Sequence, residues 1–241
     1  MKRLSAAVKL DILIQWRNRL YLIGIGVGLL SAGMMAWLTP VSLMSRIVPC
    51  VMLLVIGGST IMYIGGMVVF ERDERTLAAT IVSPLRSVEY LWSKLATLGL
   101  LSTFESLVIV VGCLWIQSLF EQVPVPNFLP ILVGIVLLGL MYTLAGFILI
   151  VRFRSITEFL IPMAVVATIA QLPIFYFLEM ISNPVLLIIP SSAPAMLIRG
   201  GYTDLSGMQW GYAICYSLFV VGVMVGWAHR AFLLHVVRKA G

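Results

Sequence analysis

Long apolar runs separated by short polar connections dominate the pattern along this chain. Six runs are each long enough to cross a hydrocarbon core of about 30 Å, which takes about 20 residues of α-helix. They lie at approximately 20–38, 47–70, 95–120, 128–151, 159–178 and 208–228. Backbone polar groups cannot stay unpaired in hydrocarbon, and the alternation of a membrane barrel is absent, so each run predicts a transmembrane helix.

A seventh apolar stretch, residues 184–198, is too short and too rich in proline for a full span. It contains Pro184, Pro190 and Pro194, and proline removes a backbone N–H donor from a helix. We therefore predict two short helical pieces that enter and leave the membrane on one side. Such a re-entrant hairpin is tolerated where protein or a water-filled cavity covers its backbone.

Basic residues are concentrated on one side of this six-span arrangement. With the N-terminus in the cytoplasm, 14 of the 16 lysines and arginines fall in cytoplasmic segments, and only Arg46 and Arg199 fall outside. An excess of lysine and arginine marks the cytoplasmic side of a membrane protein. The count therefore predicts that both termini are cytoplasmic.

Composition agrees with the membrane class and excludes several others. The chain is 61% hydrophobic and only 11% charged, whereas about a quarter of the residues of a soluble domain are charged. The net charge of +6 sits in short clusters, a pattern that fits contact with lipid headgroups and excludes a nucleic-acid partner. No linker or soluble segment interrupts the spans, so residues 1–241 are predicted to form one transmembrane domain.

The connection between the second and third spans, residues 71–95, carries the densest polar signal. Glu71 and Arg75 are four residues apart, which favours a helix that continues out of the membrane. Pro84 ends that segment. The result is a short transverse helix with apolar Leu77 and Ile81, to be interpreted either as an interfacial connector or as a docking element for a cytoplasmic protein. Physical chemistry alone favours the connector, because most such loops only join spans.

The same connection resembles the signature of ABC-2-type permeases. The residues that carry this resemblance are Glu71, Glu74, Arg75, Thr76, Leu77, Ser83, Pro84, Leu85, Glu89, Tyr90, Leu91 and Lys94. The connection at 152–160, and the opening Met1–Leu4 that leads to Asp11, are similar to the fluoroquinolone-export-type permeases within that family.

The resemblance implies an all-α polytopic fold with an N-terminal interfacial helix, six transmembrane helices, a cytoplasmic coupling helix and a re-entrant outer hairpin before the last span. It also implies a bacterial plasma membrane location and a second permease copy or a homologous permease as partner. A dimer of cytoplasmic ABC ATPases would bind and hydrolyse ATP with Mg²⁺ and drive export of a small hydrophobic or amphipathic, drug-like substrate.

The chain itself is not expected to be an enzyme. It contains no G-x-x-x-x-G-K-[ST] phosphate-binding loop, so ATP must be bound by the partner, and no cofactor or metal is expected here. Cys50, Cys113 and Cys215 lie in apolar runs and are interpreted as small buried hydrophobic residues.

Two groups of candidate functional residues follow. The residues expected to couple the permease to the ATPase are Glu71, Asp73, Glu74, Arg75, Thr76, Leu77, Ile81, Ser83, Pro84, Arg86, Glu89, Arg152 and Arg154. A substrate path is expected along Glu105, Ser102, Met163, Phe175 and Tyr176. Glu105 is the only charged residue deep in a span, and it has two interpretations: a lining group of that path, or a hydrogen bond that ties the third span to a neighbour.

Two alternatives remain open. Within the family, the substrate could be an endogenous lipid, polysaccharide or haem-related compound. Outside it, the chain could be a membrane scaffold or sensor whose inner connection only recruits a partner. Co-purification with an ATPase whose activity depends on this chain separates transport from scaffolding.

Overall fold

The computed structural model describes residues 2–73, 86–153 and 155–237, and these residues form helices joined by turns and short connections, without a strand. The N-terminal helix covers Lys2–Arg17. The six main helices that follow are Leu20–Leu38, Met44–Asp73, Ser87–Ser118, Phe128–Ile150, Ile156–Gln171 and Gly207–Phe232. All six are long and apolar enough to cross a membrane, the fifth when counted to Phe177. The predicted six-span fold is confirmed.

The spans on either side of the 71–95 connection are longer than their apolar runs. The second span continues to Asp73, and the third begins at Ser87, about two turns before the predicted start at residue 95. At that start the backbone N–H of Arg86 donates to Glu89 Oε2 at 2.8 Å, a cap for an otherwise unsatisfied helix terminus. Polar residues extend these helices because they find partners inside the protein.

The fourth span is the centre of the bundle. It packs against the second, third, fifth and sixth spans, and it is the most buried of the six. Small residues make this possible: a Cβ atom on Gly134 would lie 2.7 Å from the carbonyl oxygen of Pro194. The core is therefore built around one helix whose glycines admit close neighbours.

Glycines four residues apart have different surroundings in the first and sixth spans. Gly24 and Gly28 are buried against the third span, where a Cβ atom on Gly28 would meet Val108 at 2.9 Å. By contrast, a Cβ atom on Gly222 or Gly226 would meet nothing within 4 Å among the described residues. Only the first pair allows helices to approach closely inside the subunit.

The segment at 184–199 has the predicted form of two short helical pieces. A 3₁₀ helix covers Pro184–Ile188, and after a tight turn an α-helix covers Ser192–Arg199, of which Ser192 to Ile198 are buried. The chain then returns to the start of the fourth span, where the N–H of Asn127 donates to the carbonyl oxygen of Gly201 at 2.8 Å. The interfacial position of the N-terminal helix and the re-entry of this hairpin into a bilayer stay predictions.

Candidate functional site

A lysine buried at one end of the bundle binds two carboxylates. Lys94 is 1% exposed, and its Nζ donates to Asp11 Oδ1 at 2.6 Å and to Glu71 Oε1. The hydroxyl of Tyr90 donates to Glu71 Oε2 at 2.6 Å. The lysine ammonium also lies 5.1 Å from the centroid of the Tyr90 ring, within range of a cation–π interaction. We call Asp11, Glu71, Tyr90 and Lys94 the Lys94 cluster.

The Lys94 cluster joins elements that are far apart in the sequence. Asp11 lies on the N-terminal helix, Glu71 near the end of the second span, and Tyr90 and Lys94 lie one turn apart at the start of the third. The Tyr90 ring stacks on Phe232 of the sixth span with centroids 5.0 Å apart and lies 6.2 Å from Phe147 of the fourth. Five helices therefore meet at this point.

Two polar residues of the N-terminal helix, Asp11 and Gln15, lie on its buried face. Asp11 is 4% and Gln15 is 0% exposed, and the Nε2 of Gln15 contacts the Met67 sulfur at 3.5 Å. Apolar Leu13 and Trp16 are instead exposed, at 53% and 69%. The helix therefore has a poor amphipathic pattern by ordinary rules, because Asp11 and Gln15 face the protein while its other polar residues, such as Lys9, are exposed.

Glu71 differs from its predicted place. The sequence assigns it to the polar surface that meets an ATPase, but the structure buries it at 7% exposure with its carboxylate on Lys94 and Tyr90. Removing two charges from water is costly unless they are paired with good geometry, and Lys94 supplies that pairing. Lys94 and Asp11 entered the sequence prediction only through the resemblance. Two polar residues four apart, Asp11 and Gln15, on a largely apolar helix are the signal that could have indicated a buried partner.

Other coupling candidates lie at the same end of the bundle. Arg72, which is not one of these candidates, donates through Nη1 to the carbonyl oxygen of Phe153 and ties the second span to the connection after the fourth. Arg86 and Arg152 are exposed, and the Arg152 guanidinium lies 5.6 Å from the centroid of the Trp227 ring. Arg86 directly precedes the helix of the third span, and Arg152 directly follows the fourth span. Glu89 accepts from the backbone N–H of Arg86 at the start of the third span. The other candidates fall outside what the structure describes: the side chain of Asp73, and residues Glu74, Arg75, Thr76, Leu77, Ile81, Ser83, Pro84 and Arg154.

Glu105 lies at the contact of the first three spans. It is 0% exposed, and its Oε2 accepts a hydrogen bond from Ser59 Oγ at 3.0 Å. The hydroxyl of Tyr63 lies beside the same carboxylate. A Cβ atom on Gly24 would lie 3.8 Å from both Glu105 Cβ and that hydroxyl. This geometry supports the interpretation of Glu105 as a tie between the second and third spans.

The other path candidates are not assembled around Glu105. Ser102 is buried on the third span and donates to the carbonyl oxygen of Gly99 at 3.0 Å. Met163 lies on the fifth span, and Phe175 and Tyr176 lie on its short continuation, Ile174–Phe177. Among the described residues, the third and fifth spans have almost no contact with each other. A substrate path through all five residues of one subunit stays a prediction.

Glu105 can be tested by two substitutions of similar size. We expect Glu105→Gln to keep the bond from Ser59 and to leave the thermal midpoint in detergent and the predicted efflux near wild type. Glu105→Leu removes the acceptor and leaves buried hydroxyls unpaired, a loss of about 1–3 kcal/mol. If Glu105→Gln is as stable as wild type but loses efflux, Glu105 acts on the substrate and the structural interpretation is wrong.

Comparison with known proteins shows which family the chain belongs to. A family model described as the fluoroquinolones export permease protein family matches residues 2–240. Two relatives from Mycobacterium tuberculosis, one from strain CDC 1551 / Oshkosh and one from strain ATCC 25618 / H37Rv, are named as fluoroquinolones export permease proteins. Each is 30% identical to this chain over 244 residues, which cover 100% of this chain and 99% of the relative. The chain is a multi-pass membrane protein and belongs to the fluoroquinolones export permease family.

Proposed function

We propose that this chain is the membrane subunit of an ATP-driven exporter that moves hydrophobic or amphipathic, antibiotic-like compounds out of a bacterial cell. ATP and Mg²⁺ are bound by a separate cytoplasmic ATPase dimer, and a second permease copy or a homologue completes the membrane part. Two observations support the substrate class and the coupling: the names of the relatives, and the resemblance of residues 71–94 to ABC-2-type permeases.

The Lys94 cluster is the observation that carries the coupling proposal. Residues 74–85 connect the second and third spans, and both flanking helices are held by this cluster: Glu71 lies just before the connection, and Tyr90 and Lys94 just after it. Because a packed, ion-paired junction does not deform gradually, a push on the connection moves both helix ends together. Asp11 extends that movement to the N-terminal helix.

In this proposal the Lys94 end of the bundle is cytoplasmic and receives the ATPase. Exposed Arg86 and Arg152 provide charge around the contact, while Leu77 and Ile81 provide its apolar centre. Closure of the ATPase dimer on ATP is then transmitted through the Lys94 cluster to the spans, and a cavity between two permease copies opens to the other side.

The test is ATP-dependent drug accumulation in inverted membrane vesicles that contain the permease and its ATPase. Fluoroquinolone fluorescence reports accumulation, and protease protection reports insertion. We expect Leu77→Asp to abolish accumulation while insertion is kept, because a carboxylate replaces the apolar centre of the contact. Val125→Asp is the matched control, since Val125 is 84% exposed in the connection before the fourth span, at the opposite end of the bundle.

The possible outcomes separate the alternatives. Full accumulation with Leu77→Asp would refute the assignment of that contact. An ATPase that co-purifies with the wild-type permease, but moves lipid or polysaccharide and no fluoroquinolone, favours an endogenous substrate. If no ATPase activity depends on the permease, the scaffold or sensor alternative is favoured instead.

A further inference from the structure

The fifth and sixth spans both pack on the fourth but leave a groove between them. The groove has a volume of about 200 Å³. Its floor is the fourth span around Ala145, its walls are Ile169 of the fifth span and Met224 of the sixth, and its roof is the turn at 189–191 of the hairpin. Ile169 is 52% exposed, so the groove opens sideways, between helices, towards the surroundings of the bundle.

The polar atoms beside the groove already have partners. The helix of the fifth span ends at Gln171, and carbonyl groups in the last turn of a helix lack a helical N–H donor. The carbonyl oxygen of Ala170 instead accepts from Ser191 Oγ, and the hydroxyl of Tyr142 lies 3.4 Å from the same oxygen. That hydroxyl also lies 3.3 Å from the carbonyl oxygen of Leu53. An incoming ligand therefore meets an almost wholly apolar surface.

We propose that this groove holds one acyl chain of a membrane lipid. Tyr142 and Ala145 lie in the second half of the fourth span, before its last turn, a depth at which hydrocarbon is still the surrounding solvent. Water is not stable in an apolar space that offers no hydrogen-bond partners. A charged, drug-sized substrate is disfavoured as well, because such ligands occupy pockets of about 300–1,000 Å³ with polar groups placed to orient them.

The acyl chain has a structural consequence for the fifth span, whose helix is broken between Gln171 and Ile174. It fills the space below the 189–191 turn and beside Ala170, and so holds the hairpin turn against the broken helix. This lipid site depends only on the protein being in a bilayer, not on ATP, an ATPase or transport. Its failure would therefore be distinct from a failure of the proposed export function.

Photo-crosslinking in lipid nanodiscs tests the lipid site directly. The full-length protein is reconstituted with phosphatidylcholine that carries a diazirine on one acyl chain, and labelled residues are mapped by mass spectrometry after irradiation. We expect labelling of the groove-facing positions Ala145 and Met224 in addition to the exposed surface of the spans. An absence of label at both positions would overturn the proposal.

Filling the groove should remove that labelling. Ala145→Phe fills it from the floor and Met224→Trp from a wall, and either is expected to cause loss of label at the remaining groove position. Ala164→Phe is the matched control, because Ala164 is exposed on the fifth span and does not line the groove. Label that persists in both filled variants would refute the site.

A competition arm distinguishes a lipid from a transported drug. Addition of a fluoroquinolone to the nanodiscs is expected to leave groove labelling unchanged. If the drug instead removes the label at Ala145 and Met224 while surface labelling persists, the groove is a substrate site and the lipid assignment is wrong.

Discussion

Replacing Lys94 with methionine is expected to destabilise the protein by about 3–5 kcal/mol, the usual loss when one partner of a buried ion pair is removed. The variant leaves the carboxylates of Asp11 and Glu71 buried, at 4% and 7% exposure, without their shared ammonium group. The measurement is the unfolding midpoint of the purified permease in mild detergent. Lys9→Met is the matched control on the N-terminal helix: Lys9 is exposed, so its change should stay within about 0.5 kcal/mol.

A neutral version of the Lys94 cluster separates its stabilising role from its role in coupling. In the triple variant Asp11→Asn, Glu71→Gln, Lys94→Met no unpaired charge remains within the cluster, and replacement of a buried ion pair as a whole is often close to neutral. We expect the triple variant to regain much of the stability that Lys94→Met loses. If the triple variant is stable but hydrolyses ATP without transport, the ion pairs are needed to transmit the movement of the ATPase to the spans. Equal midpoints for Lys94→Met and wild type would contradict a buried ionic junction.

Adding a single methyl group at Gly134 is expected to destabilise the protein by about 1–3 kcal/mol, the range for overpacking a tight core. Its Cβ would lie 2.7 Å from the carbonyl oxygen of Pro194 and 3.0 Å from the backbone nitrogen of Ile198. Both atoms belong to the backbone of the hairpin helix, so no side-chain rotation can relieve the clash. The helix as a whole must move away from the fourth span.

The matched control is the same substitution at a helical glycine with space around it. Gly26 lies in the first span, and a Cβ atom there would meet nothing within 4 Å among the described residues. Gly26→Ala should therefore stabilise its helix by about 0.5–1 kcal/mol, because alanine loses less backbone freedom than glycine. We therefore expect Gly134→Ala to lower the thermal midpoint and Gly26→Ala to raise it. A neutral Gly134→Ala would mean that the hairpin is not seated on the fourth span.

Features that depend on neighbouring residues were predictable here. Six uninterrupted apolar runs indicate six spans because each helix must be apolar along its own length. Pro184, Pro190 and Pro194 exclude a seventh span for an equally local reason, and the structure has two short helical pieces there. The connection at 152–160 and the opening Met1–Leu4 also carried enough local pattern to indicate the family that the comparisons show.

Features that depend on distant partners were not predictable from the pattern. Lys94 lies 83 residues from Asp11 and 23 residues from Glu71, and neither separation follows a helical or strand period. For the same reason the N-terminal helix shows only a poor amphipathic pattern in the sequence, although Asp11 and Gln15 form its buried side. The helix of the third span begins at Ser87, before the apolar run at 95–120, and its polar residues Glu89 and Lys94 have partners that no local rule describes.

The sequence by itself determined that this protein is a six-span membrane protein with a proline-broken hairpin and a polar connection after the second span. These are properties of solvent compatibility and backbone hydrogen bonding, which act over one turn or one span. Only the tertiary structure decided which polar groups face inward: Glu71 belongs to a buried junction, and Glu105 ties two spans. It alone also decided that the fifth and sixth spans leave a groove between them. Burial and pairing are settled by helices that meet across long stretches of chain, so they exist only once the bundle is assembled.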